Sequence, residues 1–129
     1  MSPVIPALNE EEIDAIVASA ANAGAQAAYA IVLRLPHELQ QLFPQWLEEH
    51  YPLRAARVLK AIRSVRESKL NNAGFGSRMI GSGPRAEIIR QRFELACKKS
   101  GVAVGRDFEL DCSQFRPPQR GGQLSLAGI

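Results

Sequence analysis

The spacing of apolar positions divides the chain into strand-like and helix-like stretches. Residues 2–5 read as a short strand bracketed by Pro3 and Pro6. Ile13, Ile16, Val17 and Ala20 then recur at helical intervals and predict a helix over residues 9–23, ended by Gly24. Asn9 with Glu12 three residues later forms a capping-box pattern, and Glu10 and Glu11 sit where the helix dipole favours negative charge. Residues 27–35 predict a second strand. Its stretch from Ala28 to Leu33 has no polar alternation, as expected of a strand buried on both faces. The short links make the two strands parallel neighbours. The sequence offers this strand no other parallel neighbour. The expectation is therefore a chain that opens in mid-fold as the tail of a larger α/β enzyme, with an unpaired strand edge and poor solubility.

Beyond Leu35 the periodicity is helical. Leu39, Leu42, Phe43, Trp46 and Leu47 fit one apolar face, which Pro44 is expected to divide into two short helices or to restart as a new turn. A helix from Pro52 to about Arg66 carries Ala55, Val58, Leu59, Ile62 and Val65 on one side and Arg57, Lys60 and Arg63 on the other. No period survives over residues 67–83, a loop rich in Asn and Gly. A last helix runs from Pro84 to Lys99, with Ala86, Ile89, Phe93 and Ala96 inward and Ser100-Gly101 as its stop. Residues 108–112 alternate and predict a short strand or extended edge. Past Phe115 a Pro- and Gly-rich stretch reads as a tail.

Composition narrows the picture. A chain of 129 residues, 46% hydrophobic, makes one compact domain. It has no apolar run near the ~20 residues of a membrane span and no signal-peptide pattern, which with two widely separated cysteines points to the cytoplasm. Charge is uneven. Residues 1–50 hold one basic residue, Arg34, against seven acids (net −6), while residues 51–129 hold fifteen Lys and Arg against six acids (net +9). A basic half suits a polyanion, or balances the acidic half of the same molecule.

Candidate chemistry is sparse. His37 and His50 belong to no HExxH or triad pattern, and neither GxxxxGK[ST] nor GxSxG occurs. The loop from Gly74 to Pro84 leads glycines and Arg78 into a helix N-terminus beside Arg85, which suits an anion. No strand precedes it, and a structural loop tied down by Phe75 and Met79 is the competing reading. Arg92 lies near the apolar stripe of the last helix, where it either snorkels, the commoner case, or pairs with a carboxylate or ligand.

Several local runs together resemble a known family. Leu33-Arg-Leu-Pro36, Leu42-Phe43 with Trp46-Leu47, His50-Tyr-Pro52, Arg57-Val-Leu59, Gly76-Ser-Arg-Met79, Gly81-Ser-Gly-Pro84 and Ile89-Arg-Gln-Arg-Phe-Glu-Leu95 look like the carboxyl-terminal third of a bacterial radical SAM protein. The most similar branch is the spore photoproduct lyase-like, or DNA repair photolyase-like, one. The opening through Pro6-Ala-Leu-Asn9 resembles that family's proline-glycine-leucine-asparagine turn, with Ala7 in the glycine's place, and Gly122-Gln-Leu-Ser-Leu126 resembles its ending.

The resemblance implies an α/β fold. Residues 1–36 would be the last strands and helix of a partial β/α barrel, 37–115 a mainly helical extension, and 116–129 a flexible tail. It implies S-adenosylmethionine and a 4Fe–4S iron–sulfur cluster in the full-length family. The ends of the two strands, Val4, Ile5, Pro6, Asn9, Leu33 and Arg34, would border the cofactor. The alternative for Arg34 is a salt bridge at the sheet end. The CxxxCxxC motif that holds the cluster is absent here, so neither cofactor is expected to bind this chain alone, and the implied partner is the missing amino-terminal barrel half. A different class of function, a small basic nucleic-acid-binding module using Arg57, Lys60, Arg63, Arg78, Arg85 and Arg90, competes with this reading.

Overall fold

A computed structural model of the chain describes residues 1–71, 77–105 and 108–117. The expected features at Gly74, Phe75, Gly76 and residues 118–129 lie outside them. A 3₁₀ turn, Glu10–Glu12, leads into α1 (Ile13–Asn22), followed by β1 (Ala27–Ala28), α2 (Leu39–His50), α3 (Ala55–Ser64), α4 (Ser77–Ile80), α5 (Gly83–Ser100) and β2 (Ala103–Val104). The fold is mixed α/β: mostly helix with a small parallel sheet.

The parallel pairing of the first two extended segments is present as a bridge between Val4 and Val32. Val4 N–H donates to the Ile31 carbonyl at 2.8 Å, and Leu33 N–H donates to the Val4 carbonyl at 2.9 Å. The expectation of a single parallel neighbour is corrected. β2 lies parallel to β1, with Ala27 opposite Ala103 and Ala28 opposite Val104. Pairing thus follows the last helix at residues 103–104, while residues 108–112 form no strand. Backbone groups alternate in direction along an extended chain. Ile31 and Leu33 bond to the first segment, whereas Gln26 and Val32 bond on the other side, to Ala103 N–H (2.9 Å) and to the Met79 carbonyl (2.8 Å). The edge expected to be bare is therefore covered, by β2 at one end and by the Met79 segment at the other.

Side chains alternate in the same way and separate two cores. Val32, with Val4, Ile13, Val17, Ile89 and Phe93, belongs to one built under α1 and α5. Leu33 and Leu35, with Leu47, Val58 and Ile62, belong to another built under α2 and α3. The expectation of full burial from Ala28 to Leu33 is met only by Val32 and Leu33. Ala28, Ala30 and Ile31 are half-buried, and Tyr29 is 49% exposed.

Local signals differ from the expectation at several points. Asn9 does not cap the helix. Its Oδ1 instead accepts from Ile5 N–H at 2.7 Å, and its Nδ2 donates to the Pro3 carbonyl at 3.1 Å, which stitches the turn before the helix. Pro44 sits within one continuous helix rather than dividing it. Arg92 does not snorkel. Its Nε donates to Asp14 Oδ2 at 2.7 Å and a terminal nitrogen donates to the Glu11 carbonyl, tying α5 to α1. That guanidinium holds the Asp14 carboxyl below its ordinary value. Arg85 likewise pairs with Glu10, so part of the basic half is balanced by the acidic half. The end of α5 follows its sequence signal: Gly101 is left-handed (φ 68°), and Val102 N–H donates back to the Cys97 carbonyl at 3.0 Å.

Candidate functional site

The carboxyl ends of parallel strands are where α/β folds place ligands, and there Arg34 and Arg66 come together. Arg66 follows directly on Val65, the last inward residue of the α3 stripe, and is 1% exposed. Its Nη2 donates to the Val32 carbonyl at 2.9 Å and the Leu33 carbonyl at 2.8 Å. The buried guanidinium thus satisfies backbone acceptors at the end of the central segment. Arg34 is the next residue along. Burial first, and the Arg34 charge second, push the Arg66 guanidinium pKa below its ordinary value.

Arg34 is half-buried. Among the described residues, its Nη1 reaches Met79 Sδ at 4.0 Å and its buried Nε has no hydrogen-bond partner. The expected salt bridge at the sheet end is not formed: no carboxylate pairs with Arg34 among the described residues.

The other residues expected at the cofactor are placed as follows. Val4, Pro6 and Leu33 are buried, Val4 and Leu33 in the two cores. Ile5 packs against the second core. Asn9 has its amide engaged by the turn. Of the six, Arg34 alone carries a polar side-chain group that the fold leaves unbonded. Ala7 takes φ 62°, the left-handed conformation that glycine adopts freely. It is buried in the second core.

The glycine loop before α5 is a packing junction and not an open anion cradle. Gly81 (φ 78°) lies where a Cβ would meet the Val65 carbonyl oxygen at 3.1 Å. At Gly83 (φ 83°) a Cβ would meet the Ser64 carbonyl oxygen at 3.2 Å. Ser82 N–H is already donated to the Val65 carbonyl. The glycines therefore let the start of α5 press against the end of α3, which holds Arg66 in place.

Two surface features had no counterpart in the sequence reading. Phe43, Trp46 and His50 stack along α2 at centroid separations of 5.6 and 5.1 Å, with Tyr51 beside Trp46. An apolar groove bordered by Tyr29, Val32, Ile80, Ile89, Phe93 and Val104 opens beside the central segment, with a cavity volume of about 80 Å³. Cys97 is buried, its thiol pKa pushed up by desolvation, and Cys112 is exposed; both are free. No group of three His, Cys, Asp or Glu suited to a metal exists among the described residues, and no helix there is long and apolar enough to cross a membrane. No family model, curated protein or solved structure matches the chain.

Proposed function

We propose that the chain is part of a radical SAM protein of the spore photoproduct lyase-like branch, supplying late strands of the β/α unit and the helices that cover them. The observation that carries this reading is the turn at residues 6–9. Ala7, in the place of the family's glycine, is left-handed (φ 62°), a conformation glycine adopts freely, and both ends of the Asn9 amide bond the turn. Support comes also from the parallel Val4–Val32 bridge, whose carboxyl ends reach the Arg34 and Arg66 region.

The cysteines do not fit a 4Fe–4S cluster. One is enclosed in the core and the other is exposed on a separate segment, and a cluster of this class needs three thiolates close together. Cluster chemistry therefore belongs to residues outside this chain, and what the chain contributes toward S-adenosylmethionine is Arg34 and the neighbouring backbone. The test is the coding DNA upstream of Met1, together with co-purification. An in-frame CxxxCxxC, or a co-purifying chain that carries one, supports the reading. A closed frame with no such partner overturns it.

A second reading, nucleic-acid binding, is favoured by α3. Arg54, Arg57, Lys60 and Arg63 are exposed and have no acidic partner among the described residues. The set expected from sequence is narrowed, since Arg85 is held by Glu10, and Arg90 by Glu87 and Glu94. If the outward face of α3 contacts phosphates, log K against log salt has a steep negative slope. Replacing Arg57, Lys60 and Arg63 by Gln lowers its magnitude by about 2.7, at ~0.9 per phosphate contact. Binding that is indifferent to salt removes this reading.

A further inference from the structure

We propose that Arg34, backed by Arg66, forms a binding site for the phosphate or carboxylate group of a small molecule at the carboxyl end of the central extended segment. Two guanidinium groups meet at this point. Arg66 is fixed by the Val32 and Leu33 carbonyls immediately before Arg34, so its position is set by the fold. Among the described residues Arg34 has no such fixture.

The side-on edge of an arginine, Nε–H with the Nη2 group, presents two parallel donors that match the two oxygens of a carboxylate or phosphate. In Arg34 the opposite edge is the one turned toward Met79, through Nη1. The Nε donor is buried and, among the described residues, unbonded, and such a donor costs roughly 1–3 kcal/mol when left unsatisfied. An oxyanion on this edge would supply the missing acceptor and would also offset the repulsion between neighbouring cations. A structural salt bridge would do the same, but among the described residues none is made. Burial first, and then the nearby Arg34 charge, lower the Arg66 pKa, in agreement with two guanidinium groups in proximity. The site stands on this geometry alone and does not depend on membership of the radical SAM family.

The whole chain is titrated with sodium phosphate, and separately with sodium acetate, at constant ionic strength, while the arginine Nε–Hε resonances are followed by heteronuclear NMR. The Arg34 resonance is identified by its loss in Arg34→Lys. It is expected to move saturably with at least one anion: phosphate alone marks a phosphate ligand, acetate alone a carboxylate, and both a general oxyanion site. No movement with either anion overturns the proposal. Thermal melting is the second measurement. The anion raises the midpoint of the native chain, and this rise disappears in Arg34→Gln; equal rises in the two chains overturn the proposal. A negative result leaves the upstream cysteine test unaffected, so the two readings fail separately.

Discussion

Replacing Arg66 by Met is expected to destabilise the chain by about 2–4 kcal/mol, measured by urea unfolding. Met fills much of the same space but donates nothing, so the Val32 and Leu33 carbonyls lose the donor they share. Each unsatisfied buried acceptor costs roughly 1–3 kcal/mol. Part of that is returned because a buried cation, pressed on by Arg34, is removed. The residual loss is large against the 5–15 kcal/mol that typical domains have in total. Arg66→Lys keeps the charge but presents it at one compact ammonium, which satisfies two separated carbonyls less well than a fork; it is expected to fall between the two. A loss below about 1 kcal/mol for Arg66→Met would mean that solvent reaches these carbonyls once the guanidinium is gone.

The difference between Arg66 and its neighbours shows what the sequence could convey. Helical spacing identifies Ala55, Val58, Leu59, Ile62 and Val65 as inward; Leu59 is half-buried and the other four are buried. The same rule finds Ala86, Ile89, Phe93 and Ala96 on α5, also buried. Periodicity is a property of one element, and these residues need only a core to face. Arg66 is buried for a reason no single element contains: the carbonyls it serves lie more than thirty positions earlier. An arginine just past the last apolar position of a helix looks like any solvated cation.

β2 is illegible in the sequence for a related reason. Two residues of Ala-Val carry no alternation, and their pairing depends on where α5 delivers the chain. Asn9 carried a real signal that competing physics redirected. The side chain that can cap a helix is equally able to bond the turn before it, and Ile5 N–H and the Pro3 carbonyl were the nearer partners. At the candidate site, Arg34 was visible as a cation at a strand end, but the unbonded state of its Nε is a fact of packing.

Phe93→Ala is expected to cost about 3–5 kcal/mol, the range for emptying an aromatic core position, and its effect should reach the opposite side of the sheet. Phe93 is 4% exposed and packs in the core under α1 and α5. Trp46, the single tryptophan of the chain, lies on α2, the helix that adds Leu47 to the other core. The two cores share the extended segment at adjacent residues, since Val32 belongs to one and Leu33 to the other. Loss of the α5 face frees Val32, and with it the backbone that positions Leu33 and accepts from Arg66. The change should therefore move the urea midpoint of Trp46 fluorescence by the same amount as that of far-ultraviolet circular dichroism. Leu95→Ala, on the exposed side of the same helix, should shift either midpoint by less than the equivalent of about 0.5 kcal/mol. If the dichroism midpoint falls in Phe93→Ala while that of Trp46 stays in place, the two faces unfold independently. The segment ending at Arg34 would then be a joint between separable units rather than the shared centre of one.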